Sequence, residues 1–281
     1  MLLNVFGSVA RLKHSQFART ALFPFMNLQY RRRDYKYSAS RDSRAMRSFD
    51  NCHAGQRCFI IGNGPSLTPD QLEMVSGEIT FASNRIYLMF DNTTWRPTYY
   101  LAVDREFIAQ ESQQILSSIS GVKFLNLTPF SQALSGRDGV VLINKRPKYF
   151  SVHKYTTDNI CFSERPYEYL AEGYTVTYTA LQLALYMGFT EIYLLGMDHT
   201  YNVFVDSRGI VRTRRDVNNH CYDDPKGAVI NPQYVEGTEF AYRIARIVAE
   251  RRNAHIFNAT PGGSLELFDR IMLDNIEGLV H

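Results

Sequence analysis

From Arg57 onward, short apolar runs rich in β-branched and aromatic residues alternate with longer stretches whose apolar residues recur at helical spacing. The runs Cys58–Ile61, Ile79–Ala82, Thr98–Val103, Val122–Leu125, Val140–Ile143, Glu191–Leu195 and Ala254–Phe257 are predicted strands. Val176–Met187 reads as a helix from its Ala, Leu and Gln content and closes at Gly188. Glu236–Arg252 places Phe240, Ile244, Ile247 and Val248 on one helical face. Strands that alternate with helices predict an α/β fold with a mostly parallel sheet flanked by helices. The chain thus divides into an N-terminal extension, residues 1–54, and one large domain, residues 55–281.

Charge sets the extension apart. Residues 1–57 carry eleven Arg or Lys, among them Arg31-Arg32-Arg33, against Asp34, Asp42 and Asp50, in a chain whose net charge is only +3. Leu2, Leu3, Val5, Phe6, Val9, Leu12 and Phe17 mix there with Arg11, Lys13 and Arg19, a pattern compatible with a helix lying on an anionic membrane surface. An accessory helix packed on the domain, with its arginines solvated, fits the same residues. Nucleic acid is not implied, because no reading motif accompanies the charge. No apolar run approaches the roughly 20 residues needed to cross a bilayer, and Met1–Ala10 is too short and weakly apolar for a secretory signal. A cytoplasmic protein, at most peripheral at the inner face of the membrane, is expected. Cys52, Cys58, Cys161 and Cys221 are scattered without C-x-x-C or Cys/His spacing, which argues for reduced thiols rather than a disulfide framework or a zinc site.

The strand ends carry the candidate chemistry. The first predicted strand breaks into Gly62-Asn63-Gly64-Pro65-Ser66, where the glycines can take backbone angles closed to other residues, Pro65 suits the first turn of a helix and Ser66 can cap it. Free N–H groups at such a helix start attract phosphate. The loop is neither a Walker A motif nor the G-x-G-x-x-G dinucleotide fingerprint. Later strands end in Ser83-Asn84-Arg85, Asp104-Arg105-Glu106, Gly196-Met197-Asp198-His199 and Asn258-Ala259-Thr260-Pro261-Gly262-Gly263-Ser264. In an open parallel sheet these ends share one edge, so a Rossmann-like fold with a nucleotide site there is expected.

The same stretches resemble two related families. Ile60–Leu67, Thr80–Tyr87, Pro97–Asp104, the block Thr175–His199 and Asn258–Gly263 are similar to the 6-hydroxymethylpterin diphosphokinase-like family, a former domain of unknown function, and to the small bacterial CMP-sialic-acid-dependent sialyltransferases. The wording is closer to the first, and the likeness runs from about Gly55 to Phe268. Resemblance to the sialyltransferases implies that Asn63 and Asn84 hold the nucleotide phosphate and ribose or the transferred sugar. It sets Asp104 near the donor, Thr175 and Thr177 against the nucleotide, and Pro261-Gly262-Gly263-Ser264 beside the base. Their leaving-phosphate tyrosine pair is matched only by Tyr201, and their general-base histidine aligns near Asp224, four residues after His220.

Among the residues themselves, His220 is the preferred general base, since an imidazole can take a proton from an attacking hydroxyl near neutral pH. His199 is the competitor. Asp104 and Asp198, if their carboxylates converge, could bridge phosphates through Mg²⁺. Arg85 and Arg105 could clamp phosphate. Three readings follow. The leading one is a nucleotide-sugar-dependent glycosyltransferase of surface-glycan assembly, with a CMP-activated donor and a glycan or lipid-linked acceptor. The others are a Mg²⁺-dependent diphosphokinase using ATP and a non-catalytic nucleotide-binding module.

Overall fold

The computed structural model describes residues 28–146, 162–200, 203–205, 211–213, 220–221 and 232–279. Eight strands form one sheet: β1 (Arg57–Ile61), β2 (Thr80–Ser83), β3 (Tyr99–Ala102), β4 (Val122–Asn126), β5 (Val140–Ile143), β6 (Glu191–Leu195), β7 (His255–Asn258) and β8 (Asp269–Arg270). Their spatial order is β8-β7-β6-β1-β2-β3-β4-β5, and every neighbouring pair is parallel. The seven predicted strands are all present, with ends displaced by at most one residue. β8 has no apolar signal, because both its residues are exposed and charged.

Successive residues of these strands enter two different cores. Cys58, Ile60, Phe81, Leu101, Phe124 and Ile192 face one apolar cluster, and Phe59, Ile61, Ala82, Tyr100, Leu125 and Tyr193 face another. Burial on both faces explains why the strands read as continuous apolar runs. Helices α1 (residues 28–38), α2 (Arg41–Arg47), α3 (Pro69–Met74), α4 (Arg105–Ser118), α5 (Val176–Tyr186) and α6 (Pro232–Arg251) flank the sheet. α5 is buried along almost its whole length. In α6 the innermost face is Thr238, Ala241, Tyr242, Ala245 and Ala249, not the larger residues of the predicted stripe; Ile247 is 39% exposed. Small side chains let α6 approach α5, and the bulkier ones sit at the margin.

The described part of the N-terminal extension packs on the domain. Met46 of α2 is fully buried. Leu142, on the outer strand β5, has its N–H accepted by Asp42 Oδ1 at 2.9 Å and its carbonyl bonded by the Tyr37 hydroxyl at 2.8 Å. Asp34 accepts from Asn144 Nδ2 at 2.6 Å and pairs with Arg146. Side chains of residues 34–42 thereby cover an edge that would otherwise present unpaired backbone groups. Residues 1–27, with the apolar–basic segment, lie outside the described residues, as do Cys161, Tyr201 and Asp224. Among the described residues no helix is long and apolar enough to cross a membrane.

Candidate functional site

The chain fills the sheet outward from β1 to β5, then returns to lay β6 on the other side of β1. This reversal opens a crevice beyond the carboxyl ends of β1 and β6, the usual ligand position in such sheets. A cleft of about 190 Å³ occupies it. Its walls include Gly62, Asn63, Gly64 and Pro65 after β1, Asn84 after β2, Thr175 and Thr177 at the start of α5, Asp198 and His199 after β6, and His220.

The two glycines of the first loop are needed for clearance, not for unusual backbone angles, since neither has a positive φ. A Cβ on Gly62 would meet the Gly196 carbonyl and stand 2.7 Å from Met197 Sδ. One on Gly64 would overlap Asp198 Oδ2 and lie 2.6 Å from Gly196 O. The β1 and β6 loops are in backbone contact, with Gly62 N–H donating to Leu195 O at 2.7 Å and Gly64 N–H to Gly196 O at 2.9 Å. Ser66 closes the contact, donating to Asp198 Oδ2 from Oγ at 2.8 Å and from its N–H at 3.3 Å.

The loop does not open a helix as its sequence suggests. α3 begins later, at Pro69, capped by Thr68 in a reciprocal capping box with Gln71. The helix start that lines the cleft belongs to α5, whose Thr175 accepts from Thr177 N–H at 3.3 Å. Its positive dipole end faces the crevice with a helix eleven residues long behind it.

Several expected site residues are used elsewhere. Asp104 is the N-cap of α4, accepting from Phe107 N–H at 2.7 Å, and does not line the cleft. Arg85 pairs with Glu111 at 2.8 Å and lies over the Phe107 ring, and Arg105 lies over Phe130. Neither arginine lines the cleft. The proposed Mg²⁺ pair does not fit a metal, because Asp104 is committed to its helix and Asp198 to Ser66. No cluster of three or more His, Cys, Asp or Glu able to hold a metal ion occurs among the described residues. Thr260 is a buried support whose hydroxyl accepts from Met197 N–H at 2.9 Å. Pro261, Gly262 and Gly263 stand outside the cleft, where Arg270 donates to the Gly262 carbonyl at 2.6 Å and Gly263 packs on the Asp198 backbone.

Two histidines reach the cleft by different routes. His220 is partly exposed and is anchored next door, where Cys221 N–H donates to Asn63 O at 2.9 Å. Burial, aided by the nearby Asp198 charge, pushes the Cys221 thiol up to about 12. The His199 side chain is only 7% exposed, its backbone is left-handed at φ 51°, and Nε2 lies 3.4 Å from Glu239 Oε1 of α6. Burial holds its imidazole below the ordinary value, against the opposing effect of Glu239.

Sequence reasoning missed Tyr242, Leu265 and Glu239. Tyr242 and Leu265 line the cleft, and burial raises the Tyr242 phenol against the opposing effect of the Thr177 and Thr175 side chains. Tyr242 could have been found as the large polar-tipped residue within the alanine stripe of α6. Asn63 supplies one further feature. Its Nδ2 donates to Ser83 O at 3.1 Å, whereas its Oδ1 is buried with no hydrogen-bond partner among the described residues.

The model of the family described as 6-hydroxymethylpterin diphosphokinase MptE-like matches residues 35–203, more than half of the chain. No curated protein matches it. Among solved structures, the MAf glycosyltransferase from Magnetospirillum magneticum AMB-1 is similar at 17% identity and a TM-score of 0.49, over 87% of this chain and 39% of that one. The chain thus spans about two fifths of that protein's length.

Proposed function

Because the chain belongs to the 6-hydroxymethylpterin diphosphokinase MptE-like family, we propose that it is a transferase that binds an activated nucleotide in the β1–β6 crevice, and specifically a glycosyltransferase with a CMP-sugar donor. The convergence of the Gly62–Pro65 loop, Asn84 and the α5 helix start on one cleft carries this reading. A single phosphate suits the α5 dipole end without a metal. A ribose or sugar hydroxyl would satisfy the buried Asn63 Oδ1, whose lack of a partner is costly in the free protein. Transfer then needs a base for the acceptor hydroxyl, and both His199 and His220 stand at the cleft. The acceptor would be a glycan or lipid-linked glycan of surface-polysaccharide assembly, with residues 1–27 supplying basic contacts to an anionic membrane.

The family's description favours a second reading, diphosphoryl transfer from ATP to a hydroxymethyl acceptor. Two anionic phosphates beyond the first would call for a cation, and the Asp104–Asp198 pair does not provide its site. Thermal shift with CMP, CDP, UDP, GDP and ATP, each with and without Mg²⁺, separates the readings, since a ligand that binds only the folded state raises the transition. Stabilisation by CMP without Mg²⁺ is expected. Stabilisation by ATP and Mg²⁺ alone would transfer the assignment to the second reading, and no response to any nucleotide would remove both.

A further inference from the structure

Glu239 stands out because the cleft does not include it, yet it touches a residue that does. It is carried by α6 two turns into the helix, with its side chain 43% exposed, while the His199 ring it meets is almost fully enclosed. His199 is also one of the few non-glycine residues held at positive φ, a conformation that persists only where the surroundings enforce it. Such strain is concentrated at functional sites, and here the backbone, the α6 carboxylate and the Tyr242 ring, whose centroid lies 6.3 Å away, together fix the imidazole at the cleft wall.

We propose that Glu239 is the positioning residue of His199, and that the Glu239–His199 pair takes the proton from the acceptor hydroxyl during transfer. This inference rests on the transferase reading above, and it holds for either donor, since glycosyl and diphosphoryl transfer both need a hydroxyl nucleophile deprotonated. A carboxylate can only accept a hydrogen bond, so Nε2 carries the proton donated to Glu239, and the lone pair lies on Nδ1. In glycosyl transfer the acceptor oxygen forms its new bond to the anomeric carbon as its proton passes to Nδ1. The bond from that carbon to the phosphate oxygen breaks, and its electron pair leaves on the nucleotide. Glu239 then stabilises the imidazolium, the role a carboxylate plays beside a catalytic histidine. Burial keeps His199 neutral near pH 7, the form that can accept a proton. Among the described residues, Tyr242 and Glu239 on α6, Asp198 beside it in the chain and His220 at the same cleft are titratable groups around it.

The test is an NMR titration of the histidine Cε1–H signals in the full-length protein and in Glu239→Gln, with His199→Gln assigning the resonance. The Glu239 side chain is 43% exposed and glutamine matches it in shape, so Glu239→Gln should keep the wild-type thermal transition. In the wild type His199 should titrate below the ordinary histidine range, and in Glu239→Gln lower still, because the carboxylate supports the charged ring. Titration of His199 at an unchanged pH in Glu239→Gln overturns the positioning role whether or not any donor has been found. With the donor identified by the nucleotide screen, Glu239→Gln should lower kcat at least tenfold with KM little changed, shift the acid limb of the pH–rate profile downward, and be partly rescued by Glu239→Asp. Full turnover in His199→Ala, with loss in His220→Ala, overturns the catalytic part. Absence of any nucleotide binding defeats the transferase reading instead and leaves the NMR result to decide the pair.

Discussion

Gly64→Ala isolates the contact that makes the crevice. The added methyl would stand 2.6 Å from the Gly196 carbonyl and overlap Asp198 Oδ2. The carboxylate can swing aside, but only by releasing Ser66; the carbonyl can move only with the end of β6. Overpacking of this kind costs about 1–3 kcal/mol, and loss of the shorter Ser66 hydrogen bond, the one from Oγ, adds about 1.5–3 kcal/mol. The restricted unfolded chain returns only about 0.4–1 kcal/mol. A net loss of about 2–5 kcal/mol should lower Tm by roughly 3–9 °C. Gly77→Ala is the matched control, because a Cβ there meets nothing within 4 Å and its φ is not positive. It should leave stability unchanged or raise it slightly. Differential scanning calorimetry of both variants decides the matter. If Gly64→Ala melts with Gly77→Ala, the two loops are not held in the register described, and the crevice loses its physical basis.

Two other perturbations follow from the same structure. Asp42→Ala should cost about 2–4 kcal/mol, because it strips the buried Leu142 N–H and Ser135 Oγ of their acceptor, and it should promote self-association through the bared β5 edge; urea denaturation and analytical ultracentrifugation read the two effects. Stability should fall as pH drops below about 6.5, the unfolded value for histidine. His199 and His53 are both held lower in the fold by burial, so the unfolded chain binds those protons first. His199→Gln should flatten that decline, and an unchanged urea-midpoint profile between pH 5 and 7 would refute the assignment.

The sheet was legible because its signal is local: runs such as Cys58–Ile61 and Val140–Ile143 are apolar at every position, as burial on both faces requires. The cleft was legible as a set of strand ends, since the topology gathers every parallel strand's carboxyl end on one edge. What each end does was not. An aspartate after a strand reads alike whether it binds ligand or caps a helix, and only the fold shows that Asp104 caps α4. Ser66 and Asp198 meet across 132 residues of sequence, so their bond has no local trace. The arginines near the N terminus dominate the composition of residues 28–54, whereas their packing depends on a few buried residues, Tyr37, Asp42 and Met46. Glu239 was hidden for the same reason as Ser66, because its partner lies 40 positions away.

The most direct measurement is a crystal structure of the protein soaked in CMP without added metal. The phosphate is expected against the first turn of α5 beside Gly62–Pro65, with a ribose hydroxyl donating to Asn63 Oδ1. A nucleotide bound outside this crevice, or a crevice left empty at saturating CMP, would contradict the central claim.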